Sequence, residues 1–173
     1  TRIDIQTLKT IPAARTVLFE LLSAYGFNSV QAEEVFDHLD GGSGKVYESH
    51  EWRLLRDRKT LVLSRKDEQY KCLCHVLPLE GCVKVTQDLT FLIRRVHYDR
   101  HFTIPRSKDT VCMDLDKIEY PITVRFVQEG DRFVPFGMTG QKLVSDYLTN
   151  CQKNLFEKER QLVVCSGERI AWL

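Results

Sequence analysis

The sequence predicts an α+β protein in which helices come first and strands follow. Amphipathic helical patterns occupy residues 10–41, and from Lys45 onward apolar and polar residues alternate as they do in half-buried strands. The chain has 173 residues, 43% of them apolar, which is enough to bury a globular core. We expect an N-terminal helical hairpin with a small β-hairpin or sheet, followed by a mostly antiparallel β domain with one or two short helices.

Two short helices are expected to form the hairpin. Pro12 suits the first turn of one helix, which Gly26 would end. Asn28 is expected to cap the other helix, because Gln31 follows it at capping-box spacing, and Gly41 would close it. The apolar stripes of the two helices are Val17, Leu18, Leu21, Leu22 and Tyr25 in the first, and Val35, Phe36 and Leu39 in the second.

Short runs of β-branched and aromatic residues between polar turns predict the strands. Early in the chain these runs cover residues 46–48, 52–56 and 60–64. Later strands are expected over residues 70–77, 82–86, 91–97, 111–115, 122–127, 161–165 and 169–173, with a helix over 142–149. The polar stretch 65–69 marks the expected boundary between a domain of residues 1–66 and a domain of residues 67–173.

Charge is balanced over the chain as a whole but not along it. The 25 Lys and Arg residues against 24 Asp and Glu exclude a uniformly basic nucleic-acid coat and an acidic disordered tail. Cations cluster in residues 53–66 and 94–108, whereas acids cluster in 28–40 and 109–130. The basic segments are candidate phosphate-contacting surfaces, and solvated basic strands are the plain alternative. On charge alone, the candidates in the first segment are Arg53, Arg56, Arg58 and Lys59.

The cysteines and histidines give only a weak metal-binding pattern. Their closest cluster is Cys72, Cys74, His75 and Cys82. Zinc ligands usually stand two to four residues apart in a turn, whereas the first two cysteines are separated by one residue in a predicted strand. We therefore expect small core residues and no metal centre, with a metal-dependent enzyme as the remaining hypothesis. The glycine-rich stretch 40–45 lacks the early glycine and the following Ser or Thr of a phosphate-binding loop, so we expect no nucleotide site.

The apolar runs are too short to cross a bilayer. The longest are four or five residues, and none resembles a signal peptide, so a cytoplasmic location is expected. The chain begins at Thr1 and stops at Leu173 within a strand-like run. We therefore expect it to be a piece of a longer protein.

Residues 125–146 form the most distinctive stretch of the chain. Gly130 and Asp131 supply a turn, after which Pro135 and Gly137 stiffen and then bend a short extended segment. Lys142 is expected in the first turn of the helix that follows, where a cation opposes the helix dipole. Such a placement hints at a functional anion contact, although a chance surface lysine is an equally open interpretation.

The motif in this stretch resembles a known family. Residues 130–146 read Gly-Asp-Arg-Phe-x-Pro-x-Gly-Met-x-Gly-x-Lys-x-x-x-Asp, and Lys158-Glu159-Arg160 and the strands near 162–165 and 170–172 follow. Together, residues 112–173 resemble the C-terminal domain of bacterial tRNA(Ile)-lysidine synthetases. Residues 1–66, a helical hairpin and a basic β-hairpin, resemble the substrate-binding middle domain of the same enzymes, within which they would bind tRNA.

The resemblance implies an ATP-dependent ligase that joins lysine to the wobble cytidine of tRNA(Ile) through an adenylated base. In that family the chemistry belongs to an N-terminal domain with a Ser-Gly-Gly-x-Asp-Ser loop, which is absent from this sequence. We therefore expect no catalytic residue and no cofactor here, with ATP, magnesium and free lysine acting in the parent catalytic domain. This chain is expected to bind and select tRNA(Ile) with an unmodified wobble cytidine.

The resemblance also implies roles for particular residues. It places tRNA contacts at Arg132 and Lys142, and more weakly at Arg160, while a structural ion pair is the open alternative for Arg132. Asp146 is expected to pair with a nearby cation, because two anions would repel each other. The residues that would shape the loop are Gly130, Asp131, Pro135 and Gly137. The alternative function is a protein-interaction or oligomerisation module without RNA affinity, motivated by the near-zero net charge and the apolar stripes, and a homodimer stays open.

Overall fold

In a computed structural model, residues 1–66 and 73–173 are described, and they divide into two compact units. The first unit contains residues 1–66 and 152–158, and the second contains residues 73–151 and 159–173. Both units combine helices with antiparallel strands, which confirms the predicted α+β class. Within the described residues, no helix is long and apolar enough to cross a membrane.

The first unit is a four-stranded antiparallel sheet with three helices. The elements along the chain are β1 (Arg2–Asp4), α1 (Ile5–Thr10), α2 (Ala14–Ser23), α3 (Ser29–Asp37), β2 (Val46–Glu48), β3 (Trp52–Asp57) and β4 (Thr60–Arg65). The strands follow the order β1-β4-β3-β2 across the sheet. A helix from later in the chain, α5 (Leu155–Glu159), also contributes most of its residues to this unit.

Local hydrogen bonds define the helix starts. The Asn28 side chain accepts from the Gln31 N–H at 2.8 Å, and the Gln31 side chain accepts from the Asn28 N–H at 3.0 Å, which confirms the predicted capping box. Asp4 caps α1, a helix the sequence did not predict, by accepting from the Thr7 N–H. The other expected ends are corrected: α2 begins two residues after Pro12, and α3 ends at Asp37, before Gly41.

Both faces of the first sheet are covered. On one face, the helices bury Leu8, Leu18, Leu22 and Val35 against Leu54, Leu61 and Leu63. On the other face, Leu55 and Val62 pack against Phe156 of α5. A strand that is buried on both sides carries a continuous apolar run instead of an alternating one. Leu61-Val62-Leu63 in β4 is such a run.

The second unit contains a four-stranded antiparallel sheet and two separate two-stranded ribbons. Its elements are β5 (Cys74–Leu77), β6 (Gly81–Lys84), β7 (Thr90–Ile93), a 3₁₀ helix (Leu115–Lys117), β8 (Ile122–Phe126), β9 (Arg132–Phe133), β10 (Lys142–Leu143), α4 (Val144–Asn150), β11 (Leu162–Ser166) and β12 (Arg169–Trp172). The sheet has the order β12-β11-β8-β5, and the ribbons are β6-β7 and β9-β10. The core of the unit includes Leu77, Val124 and Val164.

Three predictions for the second unit are wrong in detail. No strand forms over residues 111–115, where the 3₁₀ helix begins at Leu115. The strand expected over 91–97 ends at Ile93. The helix expected from Lys142 begins at Val144, and Lys142 lies in β10 instead. Lys142 therefore does not oppose the helix dipole from within the first helical turn, and the dipole gives no reason to expect an anion beside it.

Candidate nucleic-acid interface

The β9–β10 ribbon brings together the two cations that the motif singled out. Arg132 pairs with Leu143, and Lys142 pairs with Phe133, so the cations occupy neighbouring rungs of one antiparallel ladder. Residues directly opposite each other in the ladder lie on the same face of the ribbon, and successive residues of one strand lie on alternate faces. Lys142 therefore shares a face with Phe133, and Arg132 lies on the opposite face. Both are exposed. The arrangement suits two separate phosphates rather than one anion held between two cations.

Neither cation is neutralised by the residues of its own unit that the structure describes. In the described ranges 1–66 and 73–173, Arg132 and Lys142 form no salt bridge and no side-chain hydrogen bond. The structural ion pair considered for Arg132 is therefore absent from this part of the chain. By contrast, both cations in the strands of the four-stranded sheet are paired, Arg125 with Asp131 and Arg169 with Glu119. The ribbon therefore presents positive charge that is open to a ligand.

Asp131 fixes the start of the ribbon. Its carboxylate accepts two hydrogen bonds from the Arg125 guanidinium, at 2.8 and 2.9 Å, and a third from the Gln128 N–H at 2.8 Å. Gly130 turns the chain before it with φ +84°, a left-handed conformation that suits glycine. At this same end of the ribbon, the Asp131 carbonyl accepts from the Val144 N–H at 2.9 Å. These bonds hold both strands of the ribbon in register.

The ion pair shifts the pKa of both partners. Burial acts to raise the pKa of Asp131, but the hydrogen bonds from Arg125 and the Gln128 N–H outweigh it, so the pKa lies below its ordinary value. The pKa of Arg125 is raised, chiefly by the hydrogen bonds to Asp131. The pair is therefore charged at neutral pH and serves as a brace beneath the ribbon.

The loop between the two strands carries an exposed aromatic residue. The Pro135 carbonyl accepts from the Met138 N–H at 3.0 Å, and Gly137 completes the turn with φ +78°. This turn leaves the Phe136 side chain fully exposed, with Val134 and Met138 about half exposed beside it. Sequence reasoning missed Phe136. The available signal was an aromatic residue between a proline and a glycine, outside any periodic apolar stripe.

The four cations of the first unit that were predicted to contact tRNA lie in or directly after β3, and their surroundings differ. Arg56 is only 9% exposed, and its guanidinium donates to the Leu39 carbonyl at 2.8 and 3.3 Å. The sequence contained a signal for this placement, because Arg56 shares the core-facing side of β3 with the fully buried Leu54. Because the Arg56 guanidinium is buried and bonded to the Leu39 carbonyl, Arg56 is not included in the proposed tRNA interface.

Arg53 and Arg58 contact the 152–158 segment, which belongs to the same unit. The Arg53 guanidinium carbon lies 4.8 Å from the centre of the Phe156 ring, and its Nε lies 3.5 Å from the Glu48 carboxylate. Arg58 donates to the Gln152 carbonyl at 3.1 Å. Lys59, in the β3–β4 turn, is exposed and forms no salt bridge with a described residue. Arg58 and Lys59 are both exposed, but Lys59 has no side-chain hydrogen bond to a described residue.

Two further predicted positions lie near α4 and α5. Arg160 is exposed between α5 and β11. Asp146 lies in the first turn of α4, where an acid is favourable to the helix dipole. The expected pairing of Asp146 with a cation is not found in the part of the chain that the structure describes.

The cysteine cluster also differs from expectation. Cys72 lies outside the described residues, and Cys74 and Cys82 are exposed free thiols rather than core residues. The alternation of β5 explains this, since Cys74 shares the outer face with the exposed Val76. Across residues 1–66 and 73–173, no group of three or more His, Cys, Asp or Glu side chains is placed to hold a metal ion.

Comparisons with known proteins identify the family. Residues 1–66 match the model described as the TilS substrate binding domain. Over 99% of its length the chain is 40% identical to a tRNA(Ile)-lysidine synthase of Bacteroides thetaiotaomicron and 36% identical to one of Parabacteroides distasonis. It covers 37% and 39% of these relatives, in their C-terminal portion. The chain corresponds to the C-terminal portion of tRNA(Ile)-lysidine synthases.

A third relative supports the same assignment. The tRNA(Ile)-lysidine synthase of Porphyromonas gingivalis is 28% identical over 99% of the chain, which again corresponds to 39% of the relative. The family model covers Arg53, Arg58 and Lys59 of the first unit. The ribbon cations Arg132 and Lys142 lie outside the family model, in the region that aligns with the lysidine synthase relatives. The resemblance that rested on the 130–146 motif is thereby confirmed.

Proposed function

We propose that this chain binds and selects tRNA for a tRNA(Ile)-lysidine synthase whose catalytic domain lies outside it. Its partner is tRNA(Ile) with an unmodified wobble cytidine. In the whole enzyme, ATP adenylates the cytidine with release of diphosphate, and the amine of free lysine then displaces AMP. ATP, magnesium and lysine act in the catalytic domain, and the present residues supply docking and discrimination.

One observation carries this proposal beyond the family assignment. Arg132 and Lys142 stand on a ribbon braced by the Arg125–Asp131 pair, and among the described residues neither cation has an acidic partner. A rigid support holds a charged side chain in place before the ligand arrives, which reduces the entropy that binding would otherwise cost. Phosphate contacts of this kind position an RNA without reading its sequence.

The proposal is tested by the binding of the chain to an unmodified tRNA(Ile) transcript, with elongator tRNA(Met) as competitor and a salt series for both. The variant Arg132→Ala with Lys142→Ala should weaken binding roughly tenfold or more and flatten the salt dependence by about one unit for each phosphate that is no longer bound. The matched control is Lys117→Ala with Arg169→Ala, which removes the same charge from two salt-bridged surface positions of the same unit.

The outcomes separate docking from the alternative function. Salt-dependent binding that prefers tRNA(Ile), and is weakened by the ribbon variant but not by the control, supports the proposal. Equal binding of both tRNAs leaves a backbone clamp and moves selection elsewhere in the enzyme. A chain that binds neither tRNA but forms a concentration-dependent dimer, measured by analytical ultracentrifugation, would instead favour the oligomerisation module.

A further inference from the structure

A second concentration of positive charge lies outside the ribbon, in residues 94–108, which we call the basic segment. It joins β7 to the 3₁₀ helix and contains no helix or strand. Its only acid is Asp99, so its formal charge is +4. The cations are all exposed, and they are Arg94, Arg95, Arg100, Arg106 and Lys108.

The charge of the basic segment is not neutralised within the described chain. None of its five cations forms a salt bridge or a side-chain hydrogen bond with residues 1–66 or 73–173. The carboxylate of Asp99 accepts from the His101 N–H at 2.8 Å, and its carbonyl accepts from the Phe102 N–H at 3.2 Å. The single acid is thus used to form a turn. Like charges this close in sequence repel one another, and an anionic partner would relieve that repulsion.

Aromatic side chains alternate with these cations. Tyr98 is 77% exposed and meets the Phe102 ring edge-on, with 6.1 Å between the ring centres. Val96 and Ile104 are also exposed on either side of this pair. Nucleobases stack on exposed aromatic rings, and guanidinium groups bind phosphates through two parallel hydrogen bonds. Four of the five cations are arginines. This combination fits unpaired RNA better than an anionic lipid surface.

We propose that the basic segment is a second RNA-binding element, in which its arginines contact backbone phosphates and Tyr98 stacks on an unpaired base. The inference rests on the proposed function, because the RNA it meets is the tRNA bound by the β9–β10 ribbon. A segment without helix or strand adapts its backbone to the RNA, as arginine-rich RNA-binding segments do. The segment therefore adds affinity at positions that the 130–146 motif does not contain.

Charge and stacking predict different effects. Arg95→Gln with Arg100→Gln should weaken tRNA binding several-fold and lower the salt slope by about 0.7–0.9 for each phosphate that the variant no longer binds. Tyr98→Ala should weaken binding by about fivefold or more with an unchanged salt slope, whereas Tyr98→Phe keeps the ring and should restore affinity. All these side chains are exposed and lie outside helices and strands, so the thermal unfolding midpoint should not move.

The experiment is run on the 173-residue chain with three arms. The first is the unmodified tRNA(Ile) transcript, the second is an unrelated RNA hairpin with a single-stranded tail, and the third is vesicles of phosphatidylserine and phosphatidylcholine. Lys117→Gln with Arg169→Gln serves as the charge-matched control, because both residues sit in surface salt bridges. The ribbon variant Arg132→Ala with Lys142→Ala is measured in parallel.

Each outcome bears on one proposal or the other. Weaker tRNA binding by both the segment and the ribbon variants supports both. If only the ribbon variant binds tRNA more weakly, the RNA-binding role of the basic segment is overturned and the proposed function is still supported. An effect of the segment variants alone, on tRNA and hairpin equally, keeps the segment as an RNA-binding element and counts against tRNA selection by the ribbon. Loss of vesicle binding with unchanged RNA binding overturns the inference in favour of a lipid surface.

Discussion

Arg125 in β8 and Asp131 at the start of β9 are joined by two parallel hydrogen bonds of 2.8 and 2.9 Å. Their side chains are only 19% and 13% exposed. Bidentate pairs of this kind are both stronger and more directional than single hydrogen bonds. Because Arg132 follows Asp131 directly, the pair fixes the direction in which the ribbon leaves the sheet. The contact therefore links the stability of the second unit to the placement of its proposed RNA-binding cations.

Replacing Asp131 with asparagine should destabilise the chain. The substitution removes one charge and leaves the Arg125 guanidinium in a mostly buried site without its counter-ion. Removing one partner of a fully buried pair costs about 3–5 kcal/mol, and partial exposure reduces this to about 2–3 kcal/mol here. Urea unfolding gives the free-energy difference. Asp109→Asn is the control, because Asp109 is exposed and its carboxylate contacts no described residue. Equal stability of the two variants would contradict a bracing role for Asp131.

The same pair predicts how stability depends on pH. The pKa of Asp131 is lowered from its ordinary value of 3.8, so the folded state favours the charged carboxylate. Its contribution is fully present above that ordinary value and is lost as the pH falls through the lowered pKa. The stability difference between the native chain and Asp131→Asn should therefore be constant at neutral pH and shrink below about pH 4. If the stability difference between the two proteins grew on acidification, the pKa of Asp131 would be raised in the folded state and not lowered.

Arg132 and Lys142 should contribute independently to RNA binding. Their positions on opposite faces of the ribbon imply contacts with separate phosphates. The free-energy losses of Arg132→Ala and Lys142→Ala should then add to that of the double variant within about 0.5 kcal/mol. Binding titrations of the four proteins complete the cycle. A double variant no weaker than the worse single variant would mean that both cations serve one anion, against the face assignment.

Local patterns in the sequence predicted most of the fold. The capping box at Asn28 and Gln31 and the hairpin of β3 and β4 depend on neighbours within a few residues, and both are found. The outer face of that hairpin packs against Phe156, which lies about a hundred residues later in the chain. No local signal connects such distant positions. For this reason the contacts of Arg53 and Arg58 with the 152–158 segment were out of reach of sequence reasoning.

The burial of Arg56 could have been predicted from the sequence, and its environment leads to a further prediction. Arg56→Ala should lower stability by about 1–3 kcal/mol, because the Leu39 carbonyl loses its buried donor. Lys59→Ala should leave stability within about 0.5 kcal/mol, as is usual for exposed positions. The comparison is made by urea unfolding and tRNA binding on the same samples. A stable Arg56→Ala variant with weakened tRNA binding would restore Arg56 to the interface and contradict its structural assignment.

Phe136 should contribute to binding without contributing to stability. Its side chain is fully exposed at the turn formed by Pro135 and Met138, so Phe136→Ala removes no packing. An exposed ring on the loop between two strands that each carry a cation can stack on a base, and loss of one stacked base costs about 1–3 kcal/mol. We expect binding of the unmodified tRNA(Ile) transcript to weaken by about fivefold or more, with the salt slope unchanged. Leu92→Ala, at another exposed apolar position of the same unit, is the control. If Phe136→Ala bound the transcript as tightly as the native chain, the loop would only connect β9 and β10, and tRNA docking would depend on the charged residues.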